Sequence, residues 1–284
     1  MMDAFKERME TYKYHPFSLL LRILMVISTV FTVGITVCLV GYILIKGIPN
    51  LTPEQFAWEY NTENVSMLPA IVNTLMMVLL VLLFAVPVGV GAAIYLVEYA
   101  KKGNLLVKIV RVTTETLQGI PSIVYGLFGY LFFAVFFGWG YTFLGGALTL
   151  AIMILPLIMR TTEEALLSVP DSFREGSFGL GAGKLRTIFR IILPTAVPGI
   201  VSGIILGIGR VVGETAALMF TAGTIAKIPG SLMDSGRTLA VHMYALLSEG
   251  LYMEQAYASA VVLMVLVLLI NACSGWIAKK LVKR

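Results

Sequence analysis

The chain has 284 residues, of which 58% are hydrophobic and 13% charged, with mean hydropathy +0.89 and formal net charge +5. A soluble domain carries about 25% charged residues, so these values exclude an ordinary water-soluble fold and define an all-α, polytopic membrane protein. The positive balance follows the alternation of loops across a bilayer, as shown below, and gives no reason to invoke nucleic acid.

In chain order, residues 1–18 form a short polar tail and 19–284 a transmembrane domain whose core runs over about 68–278. One crossing needs about 20 apolar residues. Uncharged runs meet that length at Ile23–Ile45, Asn64–Val97, Thr116–Met159 and Gln255–Ala278, and a further run opens at Ile191. Six transmembrane helices are predicted, at about 20–45, 68–97, 116–137, 146–166, 190–222 and 256–278. The first is too long for a signal-peptide core and no small-residue cleavage site follows it, so it is expected to be retained. With both termini inside, seventeen of the 21 Lys and Arg fall in the cytoplasm. Only Lys46, Lys227 and Arg237 fall outside, and Arg210 lies within a span. The opposite orientation inverts this positive-inside bias.

The connections are punctuated by turn residues. Residues 47–66 form an external loop with acids and no base after Lys46. Apolar spacing over 99–115 predicts a helix at the membrane surface, with Arg111 and Glu115 as an i,i+4 surface ion pair. Pro87 and Pro121 predict kinks or breaks; Asn73 and Ser122 are read as bridging helices or lining a path. The short "GWGYTFLGG" turn makes the third and fourth spans antiparallel neighbours. Pro229, Gly230 and Gly236 predict turns in the external segment 223–255, packed back on the bundle. Cys38 and Cys273 fall in spans as small apolar residues, and neither His15 nor His242 has metal-type neighbours, so no disulfide or metal site is expected.

The cytoplasmic segment of about 163–190 is long, polar and interrupted by Gly179, Gly181 and Gly183. A surface connection and a handle for a cytoplasmic partner account for it equally well, since loops carry function but also tolerate neutral change. "GLGAGKL" within it is not a phosphate-binding loop, because Phe178 and Leu185 stand where that motif needs Gly and Ser/Thr. Its spacing is more informative: Glu175-Gly176-Ser177, three residues, Gly181, nine residues, then Ile191-x-Leu193-Pro194. This register resembles the EAA loop of ABC-importer permeases, with Gly176 and Ser177 where alanine is usual. The resemblance implies a type I (MetI-like) permease fold in which Glu175, Gly176, Ser177 and Gly181 belong to a helix docking on a separate ATPase subunit.

The following span carries "RVVGETAALMFTAG" from Arg210 to Gly223. From Ala196, small and polar residues recur at 199, 203, 207, 210, 214, 217 and 221, in steps of three or four, which predicts one stripe on a continuous helix. Gly199, Gly203 and Gly207 suit close helix packing. Arg210 and Glu214 are either a self-neutralising i,i+4 pair or the start of a transport site. Mid-span charge costs roughly 2.5–3.5 kcal/mol, and apolar residues would fill a structural role more cheaply, so the functional reading is preferred. Guanidinium is suited to oxyanions; Thr215 and Thr221 add neutral hydrogen bonds, and Glu214 weakens binding enough for release.

Together with 73–100, "GIPSIVYGLFGYLFF" and the last span, the Arg210 stretch resembles the PstA family of phosphate-import permease subunits from about residue 20 to the end. The family implies passage of phosphate along Arg210, Glu214, Thr215 and Thr221, in the cytoplasmic membrane of a prokaryote. It also implies a PstC-like second permease, a dimer of PstB-like ATPase subunits and a PstS-like phosphate-binding protein. ATP and Mg would be bound by the ATPase, with no cofactor and no catalytic residue on this chain. Arginine binds sulfate and molybdate as well, so the oxyanion is not fixed by the residues alone. A proton-coupled carrier could also use the charged pair, but would leave the cytoplasmic loop without a purpose.

Overall fold

A computed structural model describes residues 16–101 and 103–282, so residues 1–15 of the expected tail lie outside the described residues. All described regular structure is helical. Five helical runs are long and apolar enough to cross a membrane: Phe17–Asn50, Leu68–Tyr99, Phe143–Leu167, Lys184–Val212 and Met253–Trp276. A bent pair, Leu105–Gln118 with Ser122–Phe136, makes a sixth when counted as one span.

Helix α1 (Pro16–Gly47) stands at the edge and packs chiefly on the last helix, α11 (Met253–Val282). Tyr42 and Tyr257 meet edge to face at 5.8 Å, and Gly47 lies against the Tyr257 backbone. The rest of α1 exposes residues such as Val30 and Phe31, at no cost in hydrocarbon. Its hydroxyls are satisfied internally: Thr29, Thr32 and Thr36 donate to the carbonyls of Met25, Ser28 and Thr32 at 2.8–2.9 Å.

Helix α2 (Leu68–Ile94) begins with proline in its first turn, where the missing N–H is harmless, and ends in a π-helical turn, Tyr95–Tyr99. Helix α3 (Leu105–Gln118) is amphipathic, and Asn104 caps it by accepting from the Leu106 N–H at 2.9 Å. The chain then bends by 104° into α4 (Ser122–Gly129), which continues as a π-helical stretch to Phe136. The expected span at 116–137 therefore starts only at Ser122. Pro121 is extended, with φ −59° and ψ 143°, and disfavours helix in the residue before it.

Helix α5 (Phe143–Leu167) is the centre of the bundle. Its N-terminal Thr142 accepts from Gly145 N–H at 3.1 Å, and Leu150, Ile154 and Ile158 are fully buried. Helix α2 packs along one flank and α8 (Leu193–Val212) along another. Between α5 and α8 lies the hairpin α6 (Asp171–Gly179) and α7 (Lys184–Thr187), joined to α8 by a π-helical turn, Ile188–Ile192. Two short helices follow, α9 (Ala216–Thr221) and α10 (Leu239–Glu249). The α6–α7 hairpin marks the basic end of the bundle, and α10 lies at the opposite end.

Close approach of α8 to α5 depends on missing side chains. A Cβ on Gly203 would overlap the Thr161 side chain, and one on Gly199 would stand 2.6 Å from the Ala165 Cβ. Gly203→Val is expected to lower the unfolding midpoint of the purified protein, with a loss of about 1–3 kcal/mol from overpacking. Gly209→Ala, on the same helix with nothing within 4 Å of its Cβ position, is the neutral control.

Candidate functional site

The site is built around the end of α8. Its residues Gly199, Gly203 and Gly207 face α5, a Gly207 Cβ being 3.6 Å from Ile154, and Ala196 is buried on the same helix. The expected stripe does not continue beyond them on one helix. Helix α8 ends at Val212, Thr215 adopts φ −120° and ψ −55°, and α9 starts at Ala216. The predicted span at 190–222 is thus corrected to a helical run over Lys184–Val212 followed by a break. Gly213 lowers the tendency to stay helical. Glu214 fixes the interruption, its Oε1 accepting from the Ala217 N–H at 3.0 Å as a cap on the next helix.

This changes the charged pair. Among the described residues no ion pair joins Arg210 to Glu214. Glu214 is 8% exposed and committed to the break. Arg210 is half-buried in the last turn of α8. The Tyr125 hydroxyl donates to the Leu117 carbonyl across the α3–α4 bend, at 2.9 Å. Thr215 is half-buried at the break, with only a long 3.4 Å bond to the Gly213 carbonyl. Thr221 is buried, and its hydroxyl donates within α9 to Ala217 at 2.7 Å, away from the break. Of the four residues, Arg210 and Thr215 are the two left half-buried, one on each side of Gly213 and Glu214. The break can be this tight because Gly126 of α4 lets Ala217 approach: a Cβ there would be 2.8 Å from the Ala217 Cα.

At the basic end, Pro170 starts α6 and Gly181, at φ +81°, turns the chain in a conformation that side chains resist. Glu175, Gly176 and Gly181 are exposed. Ser177 is not: it is 5% exposed, and its hydroxyl bonds to that of Thr187 at 2.8 Å, bracing α6 against α7. The hairpin exposes Phe173, Phe178, Leu185 and above all Leu180, which is 91% exposed. Exposed apolar clusters at a polar tip mark interaction sites. Beside it is a groove of about 910 Å³ lined in part by Leu180, Arg186, Phe189 and Arg190.

Other expected residues settle into structural places. Arg111 and Glu115 do not pair with each other; Arg111 bonds Glu163, and Glu115 bonds Arg160 at 3.3 Å, both across α3 and α5. Reach from one helix to the other is better than along α3, and partial exposure makes each pair weak. Asn73 is buried and donates to the Lys227 and Arg237 carbonyls at 2.9 and 3.0 Å, bridging α2 to the segment before α10. Ser122 is half-buried at the first turn of α4.

A buried basic cluster escaped sequence reasoning. Arg237, expected in an external loop, is 5% exposed and lies over the Tyr60 ring at 4.7 Å. His242 of α10 is fully buried and meets the same ring edge to face at 6.2 Å. The segment is expected to pack back on the bundle, but nothing in its turn residues marks Arg237 and His242 as buried; the signal is the apolar helical spacing of "LAVHMYALL". Burial first, and the neighbouring Arg237 charge second, push the His242 pKa down to about 3.

Helices long and apolar enough to span a bilayer, one of them broken after an arginine, with an exposed hairpin between two spans, are the architecture of a membrane permease. Residues 85–284 match the family described as binding-protein-dependent transport system inner membrane component, and the chain belongs to that family. It is 34% identical over 274 residues to "Probable ABC transporter permease protein YqgI" of Bacillus subtilis (strain 168), covering 88% of this chain and 91% of that protein. It is 33% identical over 252 residues to "Phosphate transport system permease protein PstA" of Pasteurella multocida (strain Pm70), covering 82% and 85%. Among solved structures it resembles a chain of a bacterial alginate ABC transporter in complex with its alginate pentasaccharide-bound periplasmic protein. The TM-score is 0.69 over 96% of this chain and 98% of that one; at 16% identity this concerns the fold alone.

His242 gives the site a pH signature. A free histidine, with pKa 6.5, takes up a proton well before the buried one at about 3. The unfolded chain therefore binds more protons between these values, and stability falls as pH drops below 6.5. The expected loss is about 1.4 kcal/mol by pH 5.5. Unfolding midpoints of the purified protein between pH 7.5 and 5.5 check this: His242→Asn should flatten the acid dependence, whatever it does to the midpoint at pH 7.5.

Proposed function

We propose that this chain is the membrane-spanning permease subunit of an ATP-driven importer that carries inorganic phosphate into the cytoplasm, with Arg210 as its contact with the anion in transit. The observation that carries the reading is the half-buried guanidinium of Arg210 at a helix break, with no ion pair among the described residues. A charge at the end of a spanning helix, held without a carboxylate, is poised for a mobile counter-ion. Thr215, half-buried on the other side of the break, supplies a neutral donor to the same path. Glu214 acts from within the wall, by fixing the break and by keeping negative charge near enough to prevent trapping. The relatives named for phosphate transport support phosphate among the oxyanions that arginine can bind.

The same helical run begins at the hairpin, where the exposed Glu175, Gly176, Gly181 and apolar tip support docking on a PstB-like ATPase dimer that binds ATP and Mg. A PstC-like permease completes the pathway and a PstS-like protein delivers phosphate to the opposite end. Both termini and the hairpin lie in the cytoplasm on the distribution of Lys and Arg. Closure of the ATPase dimer moves the hairpin, and the two permeases alternate between outward and inward access.

In cells lacking other phosphate uptake, Arg210→Ala is expected to reduce phosphate import at least tenfold, equivalent to about 1.4 kcal/mol. Arg210→Lys should retain part of it, since charge remains but the planar fork is lost. Radiolabelled phosphate uptake, normalised to protein in the membrane, checks this; unchanged uptake in Arg210→Ala would falsify the assignment.

A further inference from the structure

We propose that Arg174 and Glu98 form a clamp through which the hairpin pulls on α2, so that Arg174 is a positioning residue for transport. The proposal rests on the importer reading above and adds the mechanical link that it needs. A hairpin pushed from outside has to grip the bundle, and a chain connection to α5 and α8 alone reaches α2 only through the lateral packing of those helices.

Arg174 lies on α6, one residue before Glu175, yet it turns inward with its side chain 16% exposed. Its Nη2 and Nε both donate to Glu98 Oε1, at 2.8 and 3.1 Å. Glu98, 8% exposed at its side chain, belongs to the π-helical turn that ends the α2 run. The same Nη2 donates to the Leu166 carbonyl at 3.0 Å, and Nη1 to the Val169 carbonyl at 2.9 Å and to Asp171 Oδ1 at 3.0 Å. One guanidinium thus ties together the hairpin, the end of α5 and the end of α2. Its nitrogens are all engaged, and charge-assisted bonds of this kind hold geometry better than an exposed ion pair does.

A second contact grips the same turn. The Lys184 ammonium, at the start of α7, lies over the Tyr99 ring at 4.8 Å. The Ser177–Thr187 bond fastens α6 to α7, so the two grips move as one body. The π-helical turn is what allows this: its wider winding rotates Glu98 and Tyr99 relative to the α-helix before it, and such turns recur at functional positions. Displacement of the hairpin is therefore delivered to α2 at a fixed lever point.

The test uses the whole complex, with its partner permease, ATPase and binding protein, reconstituted in liposomes, and measures phosphate imported per ATP hydrolysed. Glu98→Gln keeps the side-chain shape and removes the charge. The expected result is a ratio at least fivefold lower, with ATP hydrolysis stimulated by phosphate-loaded binding protein within twofold of wild type. A merely structural pair would lower import and hydrolysis together; an unchanged ratio, or such a parallel loss, overturns the proposal. If Glu98→Gln fails to assemble with the ATPase, Glu98→Asp decides it, a lowered ratio supporting the clamp and a wild-type ratio overturning it. Absence of ATP-dependent phosphate import in the wild-type complex would instead be a failure of the importer reading itself.

Discussion

Hydrocarbon offers neither hydrogen-bond partners nor solvation for charge, and the arrangement of this chain follows from meeting that demand wherever a helix is interrupted. At the α3–α4 bend, the Tyr125 hydroxyl reaches back to the Leu117 carbonyl and the Gln118 amide donates to the Pro156 carbonyl at 3.1 Å. At the α8–α9 break, the Glu214 carboxylate takes the Ala217 N–H. Each interruption is stabilised by a side chain supplied locally, and the two stand face to face because α4 packs against α9. Arg210, in the last turn before the second break, is paired with no carboxylate among the described residues, and that is why it is the centre of the proposed path.

Holding the breaks in register requires backbones to come closer than ordinary side chains allow. Without a hydrophobic drive between helices, association in a membrane depends on packing. The small residues of α8 lie against Ala165, Thr161 and Ile154 of α5, and Gly126 of α4 lies against Ala217 of α9. These contacts connect the break at Arg210, through α8 and α5, to the hairpin at the basic end. A displacement there is felt along rigid, tightly packed elements rather than absorbed by a loop.

Five spans were legible because long uncharged runs are a gross property of composition, and the remaining one is a helix pair bent by 104°. The EAA-like register and the Arg210–Gly223 stretch led to the same family that the matched residues 85–284 define. The break after Val212 was not legible, because Gly213, Glu214 and Thr215 preserve helical spacing, and the decisive event is a hydrogen bond to Ala217. Ser177 illustrates the same limit: its position in the motif is local, while its inward turn depends on Thr187, ten residues away. Burial of Arg237 and His242 depends on Tyr60, which is distant in sequence and lies in a different loop. Contacts made across long sequence separation leave no periodic trace.

The account stands on Arg210 facing an aqueous, anion-attracting passage. The direct measurement is thiol labelling at the neighbouring break residue, Thr215→Cys, with Cys38 and Cys273 replaced by serine. Reaction rates with a sulfonate-bearing and an ammonium-bearing methanethiosulfonate of similar size would be compared in membranes. The account predicts reaction with both, a preference for the anionic reagent, and loss of that preference when Arg210→Ala is added. No reaction with either reagent in membranes, from a thiol that reacts readily after denaturation, would contradict it.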